Sequence, residues 1–402
     1  MANLKTKLGS LTLENPIIVS SGYVTETPEV LRRGDSFSPG AMILKSSLIE
    51  EEYSKVVKPY APHRYPSTRF AFTACEDGLM VGATMSPFPL EWWAEWMAKN
   101  IKSFRTPLIA SVAAVSLEGY VRGAKLMEQA GAPALELLLA CPAPYFRPFK
   151  YSMSSDPKVT AEICQAVKAA VKIPVGAKIA PLSVVARAAH QAGADWVTLG
   201  GVNLSAPGID LDTLEPRQPS AISFHGSKVN KYMTLRYLVS VASFSKTAHI
   251  SAHGGIQDWS DVAECILYGA SSVQAHSIFM MKGLSVIQPL KRGLSDYMDK
   301  KGFASLDDMK GLILPKLTPF NDMLAAYGDT KGKVIARVHE ELCNGCGVCE
   351  DVCAFDAIHV INGIAQSLKG SCEGCNLCVA DCPTKAISLD NAAMLKRPGV
   401  KV

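Results

Sequence analysis

The sequence predicts an α/β fold, in which a TIM (β/α)8 barrel is followed by a smaller C-terminal α+β domain. Eight short apolar runs alternate with amphipathic stretches over residues 1–310, as in a parallel sheet wrapped by helices. Eight of the twelve cysteines then lie between Cys343 and Cys382. We therefore expect a barrel over 1–310, a linker over 311–332 and a second domain over 333–402.

The predicted strands are continuous apolar runs, which are typical of strands buried on both faces. Amphipathic stretches such as 117–132 and 157–173 separate them and are expected to be helices. A doubly wound open sheet is the alternative, but the first run is not followed by the G-x-G-x-x-G motif of that fold. The eight predicted strands are 16–22, 40–47, 107–114, 134–141, 174–181, 196–202, 249–256 and 272–280.

Composition excludes several classes of protein. The chain has 402 residues and a net charge of only +4, without a basic stripe, so we expect no nucleic-acid partner. It has no run of eighteen apolar residues, and its N-terminus lacks the apolar core of a signal peptide. We therefore expect no membrane span and a cytoplasmic location, where clustered cysteines serve as metal ligands.

The clustered cysteines form two runs with the spacing C-x2-C-x2-C-x3-C, which is the pattern of bacterial ferredoxins. In this pattern the fourth cysteine of each run binds the cluster of the other run. One [4Fe–4S] cluster is therefore expected on Cys343, Cys346, Cys349 and Cys382, and another on Cys372, Cys375, Cys378 and Cys353.

Zinc and disulfide bonds are the alternatives for these cysteines. Zinc sites usually combine two C-x2-C pairs, so a third cysteine in each run favours iron–sulfur clusters. One departure is Ala354, where the ferredoxin pattern usually has proline; Pro383 retains it in the second run. The C-terminal domain is thus predicted to be a 2x[4Fe–4S] ferredoxin-like domain.

In a (β/α)8 barrel the chemistry lies at the carboxyl ends of the strands. Lys45 and Lys178 lie in apolar runs near such ends, and Gly254 and Gly255 would let backbone approach a phosphate. The lysines could instead extend to solvent. We favour a flavin, because iron–sulfur clusters need a partner that converts two-electron into one-electron transfer. The predicted strand ends supply Ser20, Ser21, Gly22, Lys45, Ser46, Cys141, Lys178, Gly200, Gly201, Gly254, Gly255, His276 and Ser277.

The stretches "ENPIIVSSG", "ILKSS", "ALELLLACP", "PVGAKIAP", "GADWVTLGG" and "GASSVQAHS", followed by the cysteine runs, resemble the dihydropyrimidine dehydrogenase family. Its pyrimidine-reducing subunits join a dihydroorotate dehydrogenase-like FMN barrel to a two-cluster ferredoxin domain. The resemblance implies an FMN site that includes the strand-end residues above and Gly226. It implies Cys141 as the general acid/base for a C=C bond. It also implies that the chain forms a homo-oligomer. Its electrons would come from an NAD(P)H–FAD subunit or a soluble ferredoxin.

The chain departs from this family where the pyrimidine would bind. The family's N-L-S-C-P reads Leu138, Leu139, Ala140, Cys141 and Pro142 here, and Gly201 and Val202 replace an Asn-Thr pair. Without those amides a pyrimidine's polar groups would be buried unpaired, so uracil and thymine are expected to be poor substrates.

The segment after Cys141 offers aromatic side chains and cations that could recognise a different substrate. We expect a larger, flatter or anionic molecule, such as an unsaturated or aromatic acid or its thioester. The segment could instead pack on the barrel rim. Three alternative functions remain: a non-catalytic electron-transfer or assembly subunit, a true dihydropyrimidine dehydrogenase subunit with a divergent pocket, and dihydroorotate dehydrogenase itself, which also needs the missing amides. The candidate substrate residues are Tyr145, Phe146, Arg147 and Lys150.

Overall fold

The computed structural model describes residues 2–58, 72–75, 78–82, 85–140, 150–151, 155–200, 203–218, 223–242, 244–245, 248–318, 322 and 332–390. The chain divides into two compact units, Met1–Leu314 and Pro315–Val402.

The first unit is built on a closed barrel of eight parallel strands, which confirms the predicted fold class. Each predicted strand contributes one barrel strand, and each barrel strand pairs in parallel with its two neighbours. The strands are β3 (Ile17–Val19), β4 (Ala41–Ile43), β7 (Leu108–Val112), β8 (Leu135–Leu138), β9 (Val175–Lys178), β10 (Trp196–Leu199), β13 (His249–His253) and β14 (Ser272–Ala275).

Helices between the strands cover the barrel, and their ends follow the local sequence. α5 begins at Pro157, and the Asp156 carboxylate accepts a hydrogen bond from the Lys158 N–H. The helices of this unit are α1 (Pro28–Asp35), α2 (Glu50–Val56), α3 (Leu90–Asn100), α4 (Leu117–Gln129), α5 (Pro157–Ala170), α6 (Ser183–Gln191), α7 (Asn230–Ala242), α8 (Trp259–Leu267), α9 (Ser277–Lys282), α10 (Ile287–Lys301) and α11 (Leu306–Met309).

All eight predicted strands are longer than the observed strands, and one of them runs into a helix. The run 272–280 is strand only as far as Ala275, and α9 begins at Ser277. Apolar runs do not distinguish strand from buried helix by themselves. The consequence is that His276 and Ser277 lie at a strand-to-helix turn.

The first unit also contains strands that the sequence analysis did not predict. β1 (Thr6–Leu8) and β2 (Leu11–Leu13) form an antiparallel hairpin. A separate antiparallel sheet has the order β11 (Asn203–Ser205), β12 (Ser223–Ser227), β6 (Gly78–Val81) and β5 (Phe72–Cys75). This second sheet matters for function because residues of β6 and β12 line the cavity described below.

The second unit contains two antiparallel strand pairs and two short helices. β15 (Ile335–Val338) pairs with β18 (Ile387–Asp390), and β16 (Ile358–Ile361) pairs with β17 (Ile364–Ser367). The helices are α12 (Val348–Asp351) and α13 (Leu377–Asp381), and each carries the third cysteine of one run. The two halves of this unit therefore repeat one arrangement of cysteine run, short helix and strand.

Within the described part of the chain, every helix is too short or too polar to cross a bilayer.

Gly176 is required by close packing inside the barrel wall. It lies directly opposite Trp196 in the pairing of β9 with β10, and a Cβ here would lie 1.9 Å from Trp196 Cε2. We expect Gly176→Ala to lower the free energy of unfolding by about 1–3 kcal/mol, because the buried indole must move. Chemical denaturation measures this. Gly208→Ala is the control, because its nearest atom lies at an ordinary 3.7 Å; equal stability of the two variants would contradict the packing argument.

Candidate functional site

A cavity lies at the carboxyl ends of the barrel strands and gathers most of the residues predicted for the cofactor. Ser20 is fully buried and hydrogen-bonded to a lining lysine, and Gly255 follows a lining glycine. Gly201, Cys141, Tyr145, Phe146 and Arg147 lie outside the described residues. The predicted residues that line the cavity are Ser21, Gly22, Lys45, Ser46, Lys178, Gly200, Gly226, Gly254, His276 and Ser277.

Lys150 is placed away from the cavity lining. Its ammonium group donates to the Tyr151 hydroxyl at 3.3 Å and lies 3.6 Å from a Glu162 carboxylate oxygen on α5.

Two buried ammonium groups dominate the electrostatics of the cavity. The exposed fractions of Lys45 and Lys178 are 7% and 9%. Lys45 Nζ lies 4.1 Å from the centre of the Tyr23 ring, and Lys178 Nζ donates to Ser20 Oγ at 3.2 Å. The described lining contains no Asp or Glu, so no carboxylate in it offsets these charges. Buried cations are costly unless an anion accompanies them, and this arrangement fits an anionic ligand.

Two histidines in the cavity wall are held neutral. Burial, and then the charges of Lys45 and Lys178, lower the pKa of His276 to about 3, and its Nε2 accepts the Tyr23 backbone N–H at 3.1 Å. Burial and then Lys178 and His276 lower the pKa of His253 well below its ordinary value. His253 and His276 therefore add no positive charge to that of the lysines at neutral pH.

Gly254 lines the cavity, and Gly255, which is buried, follows it. Both adopt positive φ, +93° and +81°, which only glycine does without strain. A Cβ on Gly255 would lie 2.0 Å from the backbone nitrogen of Lys231 on α7. Ser277 and Gly226 are also close neighbours, since a Cβ on Gly226 would lie 2.7 Å from Ser277 Oγ. This small-residue edge gives a phosphate room to approach the backbone.

Another part of the cavity wall is apolar. Leu138 ends β8 and Ala140 follows it, Val81 and Phe224 come from the antiparallel sheet, and Met85 follows β6. The described lining contains no Asn or Gln, in agreement with the loss of amides noted in the sequence. This wall can pack against an apolar molecule but offers no amide partner to a pyrimidine ring.

Sequence reasoning missed several residues of the wall. His253 immediately precedes the glycine pair at the end of β13, and Tyr23 follows the predicted Gly22, so adjacency to known strand ends could have indicated both. Thr198 lies inside β10 and carries no comparable signal. Phe224 could not be placed, because the sheet that contains it was not predicted.

In the second unit, the structure arranges the eight cysteines around two small cavities. One is lined by the first three cysteines of the first run and by Cys382, and the other by the first three of the second run and by Cys353. All cysteines in the described residues are free thiols, which excludes the disulfide alternative for these eight.

Backbone N–H groups point at several of these sulfurs, as expected of thiolate ligands. The N–H groups of Ala386 and Ala357 donate to Cys382 Sγ at 3.2 Å and Cys353 Sγ at 3.3 Å. Hydrogen bonds to ligand sulfurs are one of the means by which proteins tune an iron–sulfur cluster. Four-cysteine sets with N–H support fit [4Fe–4S] groups.

Comparisons with known proteins agree with this architecture. The family model "Dihydroorotate dehydrogenase" matches residues 90–298, and the model "4Fe-4S binding domain" matches residues 336–359. The dihydroorotate dehydrogenase B (NAD(+)) catalytic subunit of Pyrococcus furiosus is 30% identical over 315 residues, covering 77% of this chain and 98% of that protein. The corresponding subunit of Methanothermobacter thermautotrophicus is 29% identical over 315 residues, with the same coverage.

A third relative is the NAD-dependent dihydropyrimidine dehydrogenase subunit PreA of Escherichia coli, strain K12. It is 30% identical over 263 residues, which are 63% of this chain and 62% of the relative. The family binds FMN, and the ferredoxin motif indicates a [4Fe–4S] cluster. The doubly cationic cavity at the barrel's carboxyl end, with no acid in its described lining, and the cysteine sets accord with these groups. The chain therefore belongs to the dihydroorotate dehydrogenase family and is an oxidoreductase acting on CH–CH groups.

Proposed function

We propose that this protein is an FMN- and [4Fe–4S]-dependent oxidoreductase that acts on a C=C bond of a small, largely apolar acid or thioester. The observation that carries the proposal is the pair of buried ammonium groups, Lys45 and Lys178, in a cavity whose described lining has no carboxylate. Such a site stabilises bound negative charge, and the apolar part of its wall suits a substrate without a polar ring edge.

The described lining residues would hold FMN through the charges of the lysines and through backbone groups at the glycines. Gly254, Gly226 and Ser277 form the small-residue edge that suits the phosphate. Lys45 and Lys178 would stabilise negative charge on the ring system, which is one way in which a protein tunes flavin electronics. When bound, FMN supplies hydride exchange with a carbon–carbon bond. The protein's part is to orient both reactants, exclude water and manage the proton.

Cys141 is the proposed proton donor and acceptor. It follows Ala140 at the carboxyl end of β8, and Ala140 lines the cavity. An unperturbed thiol has a pKa of about 8.5, so it is mostly protonated at neutral pH and can give a proton to a substrate carbon. In the reverse direction the thiolate would take that proton back. Both roles require only that Sγ reach the reacting carbon.

The second unit is proposed to carry electrons to and from the barrel through two [4Fe–4S] clusters. The two cysteine-lined cavities support two clusters rather than one. The donor or acceptor would be an NAD(P)H–FAD subunit or a soluble ferredoxin, and the chain would act as a homo-oligomer in the cytoplasm. The relatives named for NAD are subunits of NAD-dependent dehydrogenases, which is consistent with a separate NAD-binding partner.

The apolar wall favours an unsaturated or aromatic acid over a pyrimidine. Val81, Leu138 and Phe224 offer contact area but no hydrogen bond to a ring N–H or C=O. The cations of the cavity and Arg147 of the predicted substrate segment would complement a carboxylate. The proposal thus assigns specificity to apolar contact and charge.

Cofactor content is the first test. We expect anaerobically purified protein to contain one FMN and about eight iron atoms per chain, because each [4Fe–4S] cluster holds four. Cys346→Ser and Cys375→Ser should each lower the iron content and the broad visible absorbance of the clusters. Cys75→Ser is the control, since Cys75 lies outside both runs. Absence of flavin from the purified wild type would overturn the proposed function.

Substrate preference is the second test. We expect kcat/KM for uracil to be about 10²-fold or more below that for an unsaturated aromatic acid, since two unpaired polar groups cost about 1–3 kcal/mol each. A chemically reduced viologen can serve as the electron donor in both assays. Leu138→Asn should narrow the difference and Leu138→Met should not. Efficient turnover of uracil by the wild type would refute this assignment.

The role of Cys141 is the third test. Cys141→Ala should lower the rate of the chemical step by about 10²–10⁴-fold, which is the usual contribution of a positioned acid or base. The flavin spectrum and its content should stay unchanged, because the thiol is not proposed to bind FMN. Single-turnover measurements with pre-reduced protein isolate this step. An unaltered rate would assign the proton to another group.

A further inference from the structure

Glu136 is a buried carboxylic acid that the proposed function does not use. It lies on β8 inside the barrel, its exposed fraction is 0%, and it forms no ion pair with any described residue. A buried carboxylate without a cation is costly and is retained only where the surroundings compensate it. Its hydrogen bonds show where the compensation comes from.

Two donors converge on one oxygen of Glu136. The Thr198 hydroxyl and the Gln274 side-chain amide both lie 2.6 Å from Glu136 Oε2. The same amide nitrogen also donates to Thr198 Oγ1 at 3.0 Å, so the Thr198 proton is directed at the carboxylate. Oε1 has no hydrogen-bond partner among the described residues. Oε2 therefore carries both hydrogen bonds and acts as an acceptor.

The carboxylate fixes the direction of a chain of hydrogen bonds that ends at the cavity. Because the Gln274 NH₂ group faces Glu136, its carbonyl oxygen faces Ser20 and accepts the Ser20 hydroxyl at 3.1 Å. The Ser20 oxygen is then an acceptor for Lys178 Nζ at 3.2 Å. This series of hydrogen bonds thus presents the Ser20 oxygen as an acceptor to Lys178 and ends at the Glu136 carboxylate.

Other titratable groups near Lys178 do not supply this negative charge. His253 Nε2 lies 3.4 Å from Lys178 Nζ, and His276 and Lys45 lie in the same cavity wall. Both histidines have lowered pKa values and are neutral, and Lys45 is a second cation. Glu136 is the acidic group that the described hydrogen bonds connect to Lys178.

We propose that Glu136 is a positioning residue that keeps Lys178 protonated and directed at the cavity, through Gln274 and Ser20. The ammonium then stabilises negative charge on the group bound there. The inference deepens the proposed function, since it rests on FMN occupying this cavity. It predicts that removing a negative charge from the barrel makes the flavin harder to reduce.

The direction of the shift in flavin midpoint potential distinguishes a positioning role of Glu136 from a purely electrostatic one. If Glu136 acted only as a distant negative charge, Glu136→Gln would stabilise reduced flavin and raise its midpoint potential. If Glu136 holds the Lys178 ammonium in place, the same change weakens a stabilising cation and lowers the potential. Lys178→Met should lower it as well, and adding Glu136→Gln to Lys178→Met should then cause no further lowering.

The test is a spectroelectrochemical titration of the purified holoprotein and its variants. We expect a lower flavin midpoint potential in Glu136→Gln. A shift in the same direction is expected in Ser20→Ala, which removes the hydrogen-bond link between Gln274 and Lys178 without altering a buried charge. Glu52→Gln is the matched control. The Glu52 carboxylate is also buried and accepts hydrogen bonds from the Val115 N–H and the Ser116 hydroxyl. Its replacement should leave the flavin midpoint potential unchanged. An unchanged or raised potential in both Glu136→Gln and Ser20→Ala overturns the proposal.

A second measurement does not depend on the flavin. Acetylation of Lys178 by acetic anhydride at pH 8, followed by mass spectrometry, reports its fraction of free amine. We expect about tenfold faster acetylation in Glu136→Gln, the change produced by a pKa one unit lower. Lys168, which lies 2.6 Å from Asp195, is the internal reference and should not change. Equal rates at Lys178 overturn the role of Glu136, whereas a flavin-free wild type would overturn only the cofactor assignment.

Discussion

The site depends on one constraint, which is the burial of two ammonium groups at the same end of a closed barrel. Lys45 follows β4 and Lys178 ends β9, and barrel closure brings the two into one cavity wall although they are distant in sequence. Within the described residues, compensation comes from groups outside the lining: the buried Glu26 carboxyl interacts electrostatically with Lys45, and Lys178 is connected through Ser20 and Gln274 to Glu136. A bound anion would add to this stabilisation, so cofactor binding and stability of this region should be coupled.

Much of this architecture could be predicted from the sequence. Eight continuous apolar runs separated by amphipathic stretches specify a parallel barrel, since parallel strands are buried on both faces. The strand-end rule then places Lys45, Lys178 and Gly254 together without any knowledge of their distances. Cysteine spacing likewise specifies which four sulfurs share a cavity, because a short run can surround only part of a cluster.

The parts that could not be predicted depend on long-range pairing. The antiparallel sheet joins segments near residues 78 and 224, and nothing local in either strand indicates the other. The hydrogen bonds of Glu136 have the same origin, since Thr198 and Gln274 reach it from β10 and β14. Within the apolar run 134–141, the sequence alone does not indicate which residues hydrogen-bond to the single glutamate. The strand over-extended to residue 280 reflects a different cause, which is that buried helix and buried strand share one apolar pattern.

The cavity wall is assembled from two structurally distinct sources. The cationic part belongs to the barrel, where any substitution must respect close packing such as that of Gly176 against Trp196. Val81 and Phe224 of the apolar part, and Gly226 of the small-residue edge, come from the separate antiparallel sheet. Substitutions of Val81 and Phe224 are therefore expected to alter substrate preference while Lys45 and Lys178 are left in place. One barrel could therefore act on different substrates through changes in the antiparallel sheet alone.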